Sequence, residues 1–332
     1  MLAKSLARWV PVLLLGVCGG AAQAVHTDPI ALLVHQKRYA EASSAIKARL
    51  ARDDTDATAL AASVDLSIAR GETDDLPRAR IDAERCVEAN PDSSVCAEAL
   101  GNVMLAQSRA GGLVAFVRNA HATRDTLERA IRFDPMNYRA RVTLMVFYLD
   151  APFFLGGSEV RARELATETW RLDPDLTRLM RAMCAFDEGK LDEAEQHILA
   201  ADPTRYELVQ GSQRELLLTL ASAHLDAGRY AQSGRLFEEL SRRLPSSEHG
   251  PYGLAQVARA QGRLAEAALQ LERAAAIAPR PYVYKTLGEV YEARHDRPRA
   301  IAAYRAALAG VPPLARRERK QVTAHLAQLK RR

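Results

Sequence analysis

Hydrophobic and small positions in the last third of this 332-residue chain recur with a period of 33 to 34 residues. From Pro281 to Pro312 the order is Tyr284, Leu287, Gly288 and Tyr291, then Ala300, Tyr304 and Ala307. One period earlier Leu254, Gly262, Leu264, Ala267, Leu271, Ala274 and Pro279 hold the same phase, preceded by Gly228, Tyr230, Phe237 and Pro245. Each period predicts a helix, a tight turn and a second helix. The second helix ends near the proline, which lacks the N–H that a helix interior needs. No alternating, strand-like segment competes with this pattern.

The closing prolines fall at Pro312, Pro279, Pro245, Pro203, Pro174, Pro135 and Pro91, with spacings of 33, 34, 42, 29, 39 and 44. Tyr39, Ala42, Ile46 and Leu50 add one more pair before the first proline. About eight pairs and a final helix are therefore expected, with insertions in the N-terminal half. Two insertions fall between the helices of consecutive pairs, near 106–123 and 151–160, and stacking would bring them together. The first contains Gly111-Gly112, Phe116, Arg118 and His121. In the second, Phe153, Phe154 and Leu155 break the helical pattern, and Ser158 can cap the helix that follows. Tucked under the first loop, these three residues form a small satellite core, the arrangement expected. Facing water, they form an apolar patch of the kind that binds partners.

Tyr284, Leu287, Gly288, Tyr291, Ala300, Tyr304, Ala307 and Pro312 resemble the tetratricopeptide (TPR) signature W-x2-L-G-x2-Y, A-x3-F, A, P, with tyrosine replacing the first and third aromatics. The resemblance implies an all-α, right-handed TPR superhelix, an α-solenoid, of about eight helix-turn-helix units over 25–314. The basic segment 315–332 would be a capping helix whose stripe of Val322, Leu326 and Leu329 closes the open core. Gly288 and Ala300 would sit where two helices cross, so that only short side chains fit.

Residues 1–24 read as a leader. Lys4 and Arg8 precede the apolar run Val10 to Val17 and then Ala22-Gln23-Ala24, an A-x-A cleavage site. The run is shorter than the roughly 20 apolar residues needed to span a bilayer. A cleaved signal peptide and a periplasmic or secreted chain starting at Val25 are expected. Cys18 behind Leu15-Gly16-Val17 resembles a lipobox, but Val17 departs from the Gly, Ala or Ser usual there. No other segment is long and apolar enough to span a membrane.

Loss of Lys4 and Arg8 would lower the formal charge from +5 to +3, which argues against a dedicated nucleic-acid binder. The remaining basic residues cluster in Arg316, Arg317, Arg319, Lys320, Lys330, Arg331 and Arg332. Export would allow Cys86 and Cys96, which flank the Asn90-Pro91 turn, to form a disulfide. Alternatively, Cys86 and Cys184 simply fill small-residue packing positions.

Phosphate-binding, nucleophile-elbow and metalloprotease motifs are absent from the sequence, and no His and Cys pair has metal-ligand spacing. Asp53-Asp54 and Asp74-Asp75 fall in expected turns, where Asp bonds its own backbone. No enzyme, cofactor or metal is expected.

What the TPR resemblance does imply is a concave groove lined by the first helix of each unit at its second, fifth, ninth and twelfth positions. These are Tyr282, Lys285, Glu289 and Glu292 in the last unit and His249, Tyr252, Gln256 and Arg259 before it. The third unit offers Glu98 and Asn102. The fourth offers Arg139, Val142, Val146 and Leu149, and the fifth Leu176, Leu179 and Met183. A polar C-terminal part and an apolar middle are expected, suited to a protein or peptide partner. Some TPR domains clamp a C-terminal carboxylate with Lys, Asn and Arg; here Glu289 stands where that clamp has Asn. The expected function is an exported interaction scaffold in envelope assembly, secretion or transport. The alternative is a small-molecule or lipid carrier that holds its ligand between the apolar middle and the loop 151–160.

Overall fold

The computed structural model describes residues 29–35, 38–71, 73–202, 204 and 207–331. The expected leader, its cleavage site and Cys18 lie outside the described residues, as do Pro203, Arg332 and the side chains of Lys330 and Arg331. The described residues up to Leu216 form one compact unit and those from Leu217 a second.

The first unit opens with α1 (Pro29–His35) and α2 (Tyr39–Leu50), then α3 (Ala57–Arg70) and α4 (Leu76–Ala89). They are followed by α5 (Ser94–Phe133), α6 (Tyr138–Asp150), α7 (Glu159–Thr169), α8 (Pro174–Asp187) and α9 (Leu191–Ala200). Polar caps start many of these helices. The side chains of Asp56, Ser93, Asn137, Ser158 and Asp173 each accept the backbone N–H three residues on. Buried apolar positions then join successive pairs. Val64 and Ile68 of α3 meet Ala79 and Ala83 of α4 and Ala99 and Val103 of α5.

Residues 106–123 are not an inserted loop. Helix α5 continues through them, broken only at Gly112, whose φ of 67° and ψ of −159° make the bend between two helical arms. Ala115, Phe116, Asn119, Ala120, Thr123 and Leu127 are buried at helical spacing, which holds the second arm in place. The second connection, after α6, contains a 3-10 turn at Phe153–Leu155. Leu155 is buried, but Phe153 and Phe154 face solvent, so the expected satellite core does not form around the two rings. The helical backbone of 106–123 leaves no loop to fold over them.

Cys86 of α4 and Cys96 of α5 are joined as a buried disulfide across the Asn90-Pro91 turn, with Cα atoms 5.2 Å apart. Cys184 is a buried free thiol whose pKa burial pushes up to about 11.

Helix α10 (Glu207–Asp226) is followed in the second unit by α11 (Tyr230–Arg243), and Ser233 Oγ of α11 donates to the Ala221 carbonyl of α10 at 2.8 Å. Next come α12 (His249–Ala260), α13 (Leu264–Ile277), α14 (Pro281–Ala293), α15 (Arg297–Ala309) and α16 (Arg316–Arg331). Among the described residues this makes eight helical pairs, counting the arms of α5 as one pair, and a final helix. Val322, Leu326 and Leu329 of α16 pack on the core built by α12 to α15, covering its last apolar face. Left-handed glycines Gly71, Gly189, Gly228 and Gly262 turn the chain between paired helices, and in the last pair His295 adopts the same conformation at φ 61°.

Candidate binding groove

The expected groove residues fall into two sets, one in each unit. In the first unit Arg139 of α6 is bound on two sides. Its guanidinium meets both Asp65 oxygens of α3 at 2.7 and 2.8 Å, and its Nε lies 2.8 Å from Glu98 of α5. Asn102 donates to Glu98 at 3.1 Å. Burial pushes the Glu98 carboxyl above its usual range; Asp65 adds to the rise and Arg139 opposes it. One arginine thus ties three pairs together and has little capacity left for a partner.

The expected apolar middle is not an open surface. Val142, Val146, Leu149, Leu176, Leu179 and Met183 are all buried. Helices α6 and α8 touch directly, and Cys184 Sγ lies 3.8 Å from Met145 Sδ. Positions assigned to a groove therefore lie inside the packing. The space that a carried ligand would need beside Met183 is filled by protein.

The second unit does bring its expected residues together. Tyr252 of α12 and Tyr282 of α14 meet edge to face with ring centroids 4.9 Å apart, the arrangement that aromatic quadrupoles favour. Gln256 donates to the Tyr252 hydroxyl at 2.9 Å, and that hydroxyl lies 3.3 Å from Thr286 Oγ1. Tyr282 donates to Glu248 at 3.0 Å, and Arg280 reaches the same carboxylate at 3.3 Å. Burial drives the Tyr282 hydroxyl far above its usual pKa, and the Glu248 charge reinforces this. Burial alone would raise Glu248, but His249, its own backbone N–H, Tyr282 and Arg280 together hold it below the usual range.

Toward the other end of α14, Arg259 pairs with Glu289 at 2.9 Å and Lys285 with Glu318 of α16 at 2.6 Å. Glu292 accepts from Tyr304 at 2.8 Å and meets His325 at 3.0 Å. The result is a row of half-buried tyrosines and amides bordered by ion pairs that water still reaches. Exposed pairs of this kind contribute about 0–1 kcal/mol each, so a partner can exchange them for its own at little cost.

Asp65, Glu248, Thr286 and Glu318 complete these contacts and were not expected from the groove positions. A signal for them does exist in the sequence. Asp65 and Glu98, Tyr252 and Thr286, Glu248 and Tyr282, and Lys285 and Glu318 are each 33 or 34 residues apart, one repeat period.

The helical pairs, the glycine turns and the close helix crossings define the tetratricopeptide-repeat fold, and the protein is a TPR protein by architecture. No protein-family model matches the sequence, and no curated protein matches it. Yeast Tom70 is similar in structure at a TM-score of 0.60 and 14% identity, over 96% of this chain and 68% of that one. The APC/C hetero-tetramer Cut9-Hcn1 reaches 0.47 at 15% identity, over 90% of this chain and 54% of that one, so the chain spans about half of that length. A tetratricopeptide repeat protein from Parabacteroides merdae reaches 0.39 at 13% identity, over 91% and 96%. At such identities the likeness is one of fold alone.

Proposed function

We propose that the protein is an exported, non-enzymatic interaction scaffold of the bacterial envelope, serving assembly, secretion or transport. It holds an extended peptide or a partner helix against α12 and α14. The observation that carries this reading is the Tyr252 and Tyr282 pair, half-buried and flanked by Gln256, Arg259, Lys285 and Glu289. Such a surface gives a peptide two aromatic walls for apolar anchors, and amides and exchangeable charges for its backbone and polar side chains. Export is supported by the order of charged, apolar and A-x-A segments at the start of the chain and by the Cys86–Cys96 disulfide. Membrane crossing has no support among the described residues, none of whose helices is long and apolar enough.

The test is affinity capture from cells, comparing the wild type with a variant carrying Tyr252→Ala, Arg259→Ala, Tyr282→Ala and Lys285→Ala. A dominant envelope protein recovered with the wild type and lost with the variant supports the scaffold. Equal recovery with both sinks the groove assignment.

A further inference from the structure

The connections inside the third and fourth pairs carry apolar side chains that face solvent. Phe153 is 87% exposed and Phe154 55%, with their rings edge to face at 5.5 Å. Just beyond Gly112, Leu113, Val114 and Val117 are exposed, Val114 at 79%, and Val160 is exposed at the start of α7. Phe147 of α6 stacks on Phe116 with ring centroids 6.1 Å apart, and its ring also borders Gly156, so the two connections lie on one edge of the first unit.

The two rings are held outward by a fixed turn. The N–H groups of Leu155 and Gly157 both donate to the Pro152 carbonyl, at 2.8 and 3.1 Å, and Ser158 N–H donates to the Tyr148 carbonyl at 2.9 Å. Leu155 anchors the turn from inside. A Cβ at Gly157 would fall 1.7 Å from the Ala151 carbonyl oxygen, so only glycine fits there. Apolar surface kept in water by rigid backbone, rather than by loose chain, is the signature of a contact surface.

Two exposed arginines stand at its rim, among exposed carboxylates at Glu159 and Glu164. Arg118 is exposed one helical turn beyond Val114, and Arg161 is exposed in the first turn of α7. Arg163, whose closer partner is Glu188, also reaches Glu159 at 3.5 Å, and Glu164 lines the surface beside Val160. We propose that this edge docks on the surface of an anionic lipid bilayer. Phe153 and Phe154 enter the boundary between headgroups and acyl chains, where aromatic rings partition well, while Arg118 and Arg161 meet lipid phosphates. A protruding pair of rings with two arginines at its rim fits a bilayer without a shaped pocket, which a protein partner would have to supply. The inference is independent of the groove on α12 and α14, and either can fail without the other.

The test is flotation of the protein, purified as the cell processes it, with vesicles of phosphatidylcholine alone or mixed with phosphatidylglycerol. The wild type should float with the anionic vesicles and be released by salt, which screens exposed charges. Phe153→Ser with Phe154→Ser should weaken binding about tenfold, and Arg118→Glu with Arg161→Glu should weaken it by a similar factor. Ile81→Ser, at an exposed apolar residue of α4, should change nothing. As an independent readout, tryptophan emission in Phe153→Trp should shift to the blue on addition of anionic vesicles. Three results would overturn the proposal: flotation of the double serine variant at the wild-type level, equal binding to vesicles without phosphatidylglycerol, or a wild-type dimer in sedimentation that this variant abolishes.

Discussion

In α14 a methyl group added at Gly288 would sit 2.5 Å from Cδ1 and Cε1 of the Tyr304 ring. That ring is fully buried, tied by its hydroxyl to Glu292 and surrounded by buried Ala300, Ala303 and Ala307, so it has little room to retreat. Reaching ordinary contact distance would need a shift of about 1 Å in a close-packed core. Overpacking of this kind costs about 1–3 kcal/mol, against a gain of about 1 kcal/mol from replacing a helical glycine with alanine. Gly288→Ala should therefore lower stability by up to about 2 kcal/mol. The same change at Gly234 of α11, where nothing lies within 4 Å of the new methyl, should raise it by about 0.5–1 kcal/mol. Thermal and urea unfolding followed by far-UV circular dichroism would measure both, with a shift of about 2–4 °C per kcal/mol for a chain of this size. A Gly288→Ala variant stabilised as much as Gly234→Ala would refute the close-crossing argument, since two helical glycines would then behave alike despite opposite surroundings.

Arg139→Ala should destabilise the first unit by about 3–5 kcal/mol near neutrality, because Asp65 and Glu98 would be left facing one another without their cation. The Glu98 pKa is already raised in the fold, so protonation favours the folded state as pH falls through that value; the loss should shrink in acid, and urea titrations giving equal losses at neutral and acid pH would contradict this. Cys86→Ser with Cys96→Ser, which opens a loop of sequence separation 10, should lower stability by about 2–3 kcal/mol, read from the urea midpoint without reductant. His295→Gly should raise the melting temperature, since a left-handed side chain costs about 1–2 kcal/mol and glycine's extra freedom in the unfolded chain offsets only part of that.

The helical pairs and the cap were legible because the chain punctuates them. Glycine marks the turns, proline closes the pairs, and Val322, Leu326 and Leu329 repeat at helical spacing. The second arm of α5 was hidden because Gly111-Gly112 looks like the start of a loop. Yet Phe116, Ala120, Thr123 and Leu127 already carried the helical period, and one residue at positive φ is enough for the bend. The groove was half legible. Tyr252, Gln256, Arg259, Tyr282, Lys285 and Glu289 come together as the motif register implies. Val142, Val146 and Met183 occupy equivalent positions but are buried where α6 meets α8, and spacing within one repeat does not reveal how closely its neighbours approach. Phe153 and Phe154 show the same limit, because whether a ring is covered depends on the backbone of another repeat.

Whether a partner lies along α12 and α14 is decided by a photo-crosslinking residue at Gln256 in intact cells, with the same residue at Arg273 on the exposed face of α13 as the comparison. A partner in the groove gives one discrete envelope-protein adduct from Gln256, none from Arg273, and loss of the adduct when Tyr252 and Tyr282 are replaced by Ala. The same adducts from both positions, or an adduct unaffected by removal of the two tyrosines, would contradict it.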